Sequence, residues 1–314
     1  MELRNVGTSG LKVSTLGIGC NNFGHGSRRL DYTKSAAVVH AALDHGVTHF
    51  DTADVYPMGD GSTSEEYLGK ALGSRRAGAV IASKFGMQMK AGHGGSRRYI
   101  MQAVEASLKR LNTDWIDLLY FHTPDPDTPI DETLRALDDL ISSGKVNYVA
   151  SSNFAPWQTV EAHFIARELG ANRFIATQEH YSLLSRTVEA ETIPLCQKFG
   201  IGLVPFFPLA SGVLSGKFKI GEPIPSGTRL SNANPSTDKF LNDKNLKLAV
   251  KFTEVAQAQD KELIDLAFAW LLRDKVVPSV IAGASTPEQV ARNAEAVAWQ
   301  MSDEQVAATA KVVG

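Results

Sequence analysis

The sequence predicts an α/β protein: a closed (β/α)8 TIM barrel with an N-terminal β-hairpin, extra helices and a long loop after the seventh strand. Three observations carry this. Short apolar, β-rich runs alternate with helix-period runs along almost the whole chain, which implies parallel strands joined by right-handed crossovers. The strand runs are nearly continuous in apolar residues, as strands covered on both faces must be. They number eight, each with a helical run after it, the count that closes a barrel. A chain of 314 residues suits one barrel, and no linker composition interrupts it, so 1–314 is read as a single domain.

The elements follow in order. Residues 2–14 read as a hairpin turning at Gly7–Gly10 and plugging the bottom of the barrel. The barrel strands are expected at 14–20, 48–53, 79–84, 116–122, 146–152, 173–178, 202–207 and 278–283. Helical runs fill 33–45, 63–72, 96–111, 130–142, 156–169, 188–199, the pair 244–257 and 260–273, and 286–297, with a final helix near 302–312. Thr128-Pro129 and Thr286-Pro287, each followed by first-turn acids, mark helix starts. Gly46, Gly144, Gly170 and Gly200 each stand where a left-handed helix C-cap is needed. Residues 208–240 include the stretch GEPIPSG and leave from the active face, so they are read as a ligand-covering loop.

Composition excludes several classes. A hydrophobic fraction of 43% excludes general disorder. The net charge of -2 argues against a nucleic-acid or anionic-membrane binder. The first residues lack a signal-peptide core, and no apolar stretch reaches the roughly 18 residues of a membrane span. Two cysteines, Cys20 and Cys196, fit a reducing compartment, and a cytoplasmic location is expected.

Barrel active sites form at the C-terminal strand ends. There the second strand delivers Asp51, with Tyr56 in its loop; the third delivers Lys84 and the fourth His122. A phenol with its ordinary pKa near 10 is a poor proton donor at neutral pH, and a neighbouring ammonium favours its phenolate. An aspartate would keep the lysine charged, and a histidine would orient a substrate oxygen. Such a group suits protonation of a carbonyl oxygen as negative charge develops on it. The reductant must then come from a cofactor, because side chains supply no hydride. No GxGxxG opens a βαβ unit, GIGCNNFG (17–24) being a loose echo, so a Rossmann domain is disfavoured.

From hairpin to last helix the chain resembles the aldo-keto reductases, in their bacterial and potassium-channel β-subunit-like branch. FDTADVY (50–56), ASKFG (82–86), DLLYFHTPDPDTPIDETL (117–134), GKVNYVASSNF (144–154), TQEHYSLLSR (177–186), PLASGVLSGK (208–217) and IAGASTPEQVARN (281–293) carry the resemblance. It implies Tyr56 as general acid, Lys84 and Asp51 as its acidifying pair, and His122 as the substrate-orienting residue. It implies that Ser152, Asn153 and Gln178 grip a nicotinamide amide and that Phe206 stacks on the ring. Leu209, Ser211, Gly212 and Lys217, with Arg229 further on, match a pyrophosphate-covering loop. Gly283, Ser285, Gln289 and Asn293 match the segment that holds the adenosine end. There a helix N-terminus after GAST is an anion site in its own right, and Lys217, Arg229 and Arg292 add positive charge. NADPH is the expected cofactor, with NADH possible, because the basic residue many members carry at Gly283 or Gln289 is missing here.

Asn22, Phe23, Pro57, Met58, Phe85, Met87, Phe154 and Phe207 are expected to make an apolar substrate slot with one polar end at Tyr56 and His122. Little chain remains after the last helix to cover it, which predicts an open pocket and broad specificity. The expected partner is a small-molecule carbonyl or alcohol, with no nucleic acid and no membrane. Asp54 is read as a loop or surface acid and Cys20 as a buried filler. The seven other histidines are placed on helices or loops, without metal-ligand spacing. Two rival readings stand beside the reductase: a nicotinamide-sensing binding subunit with slow turnover, and an aldolase using Lys84 as a Schiff base.

Overall fold

The computed structural model describes residues 1–25, 29–58, 62–225, 230–231 and 239–312. Strands β1 (Leu3–Asn5) and β2 (Lys12–Ser14) form the antiparallel hairpin, with Leu3 opposite Ser14. Eight parallel strands then close a barrel: β3 (Leu16–Gly19), β4 (His49–Asp51), β5 (Val80–Phe85), β6 (Ile116–Phe121), β7 (Val146–Ser152), β8 (Ala176–His180), β9 (Gly202–Phe206) and β10 (Val280–Ala282). Neighbours follow chain order, and Ile281 pairs with Phe206 on one side while Val280–Ala282 pair with Leu16–Ile18 on the other. The covering helices are α1 (Tyr32–Asp44), α2 (Thr63–Leu72), α3 (Arg97–Leu111), α4 (Ile130–Ser142), α5 (Pro156–Leu169), α6 (Thr192–Phe199), α7 (Asp243–Gln257), α8 (Leu263–Leu272), α9 (Pro287–Ala296) and α10 (Asp303–Ala310).

Strand periodicity of two sorts the side chains into two cores. Ala82, Leu118, Tyr120, Ala150, Ala176, Val204 and Ile281 fill the barrel interior, closed from below by Val6 and Val13 of the hairpin. The alternate residues, such as Ile81, Leu119, Phe121, Val149 and Leu203, pack outward with the helices. Gly7 makes the plug possible. Its φ is +55°, and a Cβ there would lie 2.3 Å from the Gly200 carbonyl oxygen. Gly46, Gly144, Gly170 and Gly200 all take positive φ just after their helices, as the sequence predicts.

Four boundaries differ from the sequence reading. The helix expected at 188–199 splits into a 3₁₀ turn at Thr187–Glu189 and α6, because Pro194 fits only a first helical turn. The helix expected at 260–273 begins at Leu263, since Asp260 is left-handed and Glu262 is an extended N-cap. The sixth barrel strand lies at 176–180, starting three residues and ending two residues later than read. Thr128 does not cap α4: its hydroxyl donates to Asp125 (2.7 Å), and Pro129 occupies the N-cap. Thr286 does cap α9, accepting from the Gln289 N–H at 3.3 Å. Among the described residues no helix is long and apolar enough to cross a membrane.

Candidate active site

The two-residue alternation that builds the apolar interior also builds the site. One step above the apolar layer the inward positions are Gly19, Asp51, Lys84, His122, Ser152, Gln178 and Phe206. Asp51, Tyr56, His122, Ser152, Asn153, Gln178, Phe206, Phe207 and Gly283 line a cavity of about 400 Å³, together with Gly19, Asn21, Met58, Met87 and Ile281. Lys84 lies behind this wall, 1% exposed. Its ammonium donates to Asp51 Oδ1 (2.5 Å) and to the Thr52 carbonyl (2.9 Å), and stands 5.1 Å from the centre of the Tyr56 ring. Gln178 Nε2 satisfies the second Asp51 oxygen at 2.7 Å. Tyr56 and His122 meet edge to face, with ring centres 5.7 Å apart.

The electrostatics follow from burial and partners. Burial pulls the Lys84 ammonium down, but the Asp51 carboxylate and then Tyr56 more than offset it, so its pKa lies above the ordinary lysine value. Burial and then the Lys84 charge drive His122 down to about 3. His122 is therefore a neutral imidazole at physiological pH, a hydrogen-bonding group and not an acid. Its Nδ1 is buried with no partner among the described residues.

Ser152, Asn153 and Gln178 form one wired unit. Ser152 Oγ donates to the Gln178 carbonyl (2.9 Å), while Asn153 Nδ2 donates to the His122 carbonyl (2.9 Å) and to Ser152 Oγ (3.0 Å). Asn153 is left-handed (φ +58°), which turns it back over the barrel mouth. Its described hydrogen bonds use only the amide nitrogen, leaving the oxygen as the acceptor a carboxamide NH₂ requires. Phe206 presents an aromatic face at the cavity wall and is backed by His180, stacked 5.6 Å away. Beyond the cavity, Ala210, Ser211 and Gly212 are successive left-handed residues, and Ser211 Oγ is buried without a partner among the described residues. Of their backbone N–H groups, that of Ala210 donates to the Phe207 carbonyl (2.9 Å) and that of Gly212 to the Leu209 carbonyl (2.8 Å). At Gly283 a Cβ would meet nothing within 4 Å. These features fit a nicotinamide dinucleotide.

The structure separates some residues that the sequence reading grouped. Phe23 and Phe85 do not line the cavity. Phe85 follows inward Lys84 and so points outward, stacked on Phe121 at 5.0 Å, and Phe23 is wholly buried in the outer core. Phe154 joins the same outer cluster. Met58 and Phe207 do line it. Leu209, Ser211 and Gly212 lie at or within the 3₁₀ segment Ala210–Ser215 and Lys217 just beyond it, outside the cavity lining. Arg229 lies outside the described residues. Gln289 accepts the Ser285 N–H (2.8 Å), and Asn293 is buried on α9. Arg292 is not an uncommitted cation, because its Nη2 is held by Glu262 (3.0 Å) and Asp265 (2.8 Å). Asp54 is no surface acid but 2% exposed. His49 and His180 sit on strands, not on helices or loops. Asn21, Gly19 and Ile281 were missed as lining residues; counting by twos from Gly17 and Gly283 would have found them.

A barrel of eight parallel strands with an Asp, Lys, Tyr and His gathered at one rim defines a class. The chain belongs to the Aldo/keto reductase family, whose profile matches residues 15–313. That membership supports an NAD(P)H-dependent oxidoreductase. The chain is 39% identical over 306 residues to a probable voltage-gated potassium channel subunit beta of Arabidopsis thaliana, covering 95% of this chain and 91% of that protein. It is 34% identical over 309 residues to the L-glyceraldehyde 3-phosphate reductase of Escherichia coli (strain K12), covering 95% and 88% respectively.

Proposed function

We propose that the protein is an NADPH-dependent reductase of aldehydes or ketones, able to run in reverse on secondary alcohols, with Tyr56 as general acid. The observation that carries this is the Lys84 ammonium, held by Asp51 at 2.5 Å and facing the Tyr56 ring at 5.1 Å behind the cavity wall. A bound reduced nicotinamide supplies the hydride. Tyr56 gives its proton to the carbonyl oxygen, and Lys84 stabilises the phenolate left behind. Asp51, fixed on its other oxygen by Gln178, holds Lys84 charged. Neutral His122 hydrogen-bonds the substrate oxygen and aims it at the phenol. Asn153, Ser152 and Gln178 orient the carboxamide, and Phe206 supplies the stacking face. NADPH is the cofactor we favour over NADH: Arg292, in the middle of α9, has its Nη2 paired with Glu262 and Asp265, and its other guanidinium nitrogens are the donors a 2′-phosphate would use. NADH remains a usable second cofactor.

The similarity to a potassium channel subunit beta supports one second reading, which we take as a cofactor-sensing subunit with slow turnover. Steady reduction of 4-nitrobenzaldehyde with NADPH separates the two. Tyr56→Phe is expected to lower kcat by about 10²–10⁴-fold while NADPH binding, followed by fluorescence, is retained. A phenylalanine variant that turns over like wild type removes Tyr56 from the chemistry. Two free, buried cysteines fit a reducing compartment, and we read the protein as a cytoplasmic, single-domain enzyme.

A further inference from the structure

We infer that Arg29 is a specificity-determining positioning residue: it clasps two rim loops together and so selects flat, apolar carbonyl substrates over small ones, an inference that rests on the reductase reading above. Arg29 Nη1 donates to the Asn21 carbonyl at 2.7 Å and Nη2 to the Met58 carbonyl at 3.3 Å. Asn21 and Met58 belong to loops that leave neighbouring strands β3 and β4, and both line the cavity. One guanidinium therefore spans the gap between two walls of the substrate mouth. A planar fork with several donors suits this; a lysine's single nitrogen does not.

The surroundings make the clasp rigid on one side and necessary on the other. Around Arg29 the first loop closes on itself through Gly24 N–H to the Leu30 carbonyl and Leu30 N–H to the Asn22 carbonyl, both 2.8 Å. Phe23 and Leu30 are themselves buried in the outer core. Asn22 Nδ2 ties the same loop to the Ala284 carbonyl (3.0 Å), beside Gly283 at the end of β10, the other neighbour of β3. At Gly24 a Cβ would lie 2.6 Å from Pro57 Cγ, so the loop rests directly on the residue between Tyr56 and Met58. Met58 itself is 54% exposed, and packing alone cannot hold it. The Arg29 bond to its carbonyl fixes it at the rim, two residues from the proton donor. There Met58, Met87 and Phe207 form an apolar edge against which a flat ring can lie.

The experiment compares wild type, Arg29→Lys, Arg29→Ala, Met58→Ala and the Arg29→Ala/Met58→Ala double variant on 4-nitrobenzaldehyde and propanal. Arg29→Ala is expected to lower kcat/KM for the aromatic aldehyde about 10-fold, mainly through KM. Propanal is expected to change by less than about 2-fold, and NADPH affinity by no more. Arg29→Lys falls between, and its retained charge keeps the comparison valid if the alanine variant folds poorly. In the Met58→Ala background the Arg29→Ala effect should vanish, because the side chain being positioned is gone. Amide exchange at Tyr56 and Met58 should quicken in Arg29→Ala without any substrate present. An equal loss on both aldehydes, a loss carried in NADPH affinity, or unchanged exchange overturns the proposal. Wild-type protein that reduces neither aldehyde overturns the reductase reading instead, and the exchange measurement still decides the clasp.

Discussion

Asp51 and Asp54 stand three residues apart, both almost fully buried, on opposite sides of one barrel wall. Inside, Asp51 receives Lys84 Nζ on one oxygen and Gln178 Nε2 on the other. Outside, Asp54 receives the Tyr99 hydroxyl, at 3.5 Å, and the Val55 backbone N–H, and its Oδ1 has no partner among the described residues. It also shares its layer with Glu65, which takes the Ser83 hydroxyl (2.5 Å) and Arg110 Nε (2.7 Å) for itself. Burial and then the Glu65 charge push Asp54 up to about 7, against the pull of Arg110. Burial is common to both acids. What separates them is the charge beside each: Asp51 bonds the Lys84 ammonium directly, whereas Asp54 has the like charge of Glu65 as its neighbour and is a titrating group behind the site.

The comparison breaks most visibly at Lys84. Lys84→Met leaves Asp51 charged and uncompensated, which costs about 3–5 kcal/mol in a buried pair. A lower denaturation midpoint should accompany loss of carbonyl reduction by about 10²-fold or more. Replacing both partners, as Asp51→Asn/Lys84→Met, should recover most of the stability and none of the turnover. A double variant as unstable as the single one would show that the pair is not the energetic unit. On the outer side the equivalent change is Glu65→Gln, which frees a partly solvated Arg110 and weakens the Ser83 contact. We expect a loss of about 2 kcal/mol in urea unfolding with kcat nearly unchanged. A kcat that falls with stability would mean the outer cluster positions Lys84 through Ser83.

Parity along the strands explains what the sequence could show. The ends of β4, β5 and β6 put Asp51, Lys84 and His122 on the inward side of a closed barrel, and Gly46, Gly144, Gly170 and Gly200 marked the turns between elements. The same parity places Phe85 outside, so counting forward from Lys84 would have removed it from the substrate pocket. Asp54 was illegible for a different reason. It lies past the strand in a turn, where alternation stops, and its burial depends on Tyr99 and Arg110, residues 45 and 56 positions away. Nothing local to FDTADVY distinguishes the two acids. Arg29 was hidden likewise, because its role rests on two backbone carbonyls, which carry no sequence signature.

The outer acid gives the finest test. An unfolded aspartate titrates near 3.8, and Asp54 in the folded chain near 7. Between those values the folded state holds the extra proton, so the contribution of Asp54 to stability is largest at low pH and falls as pH rises, by about 1.4 kcal/mol per unit, while the buried His49 and His122 and the half-buried His180 contribute with the opposite sign. Above about 7 the curve levels, because the carboxyl is then ionised in both states. Glu179, half-buried and likewise pushed up to about 7, contributes with the same sign. Asp54→Asn removes its own slope and leaves the others. Relative to wild type the variant should gain about 2 kcal/mol between pH 5 and pH 8 in urea unfolding, whatever its stability at pH 5. Glu65→Gln should shift the Asp54 midpoint downward, since the like charge is the second cause of its rise. Parallel wild-type and Asp54→Asn curves across that range would mean that Asp54 is ionised throughout, and the contrast with Asp51 would reduce to position alone.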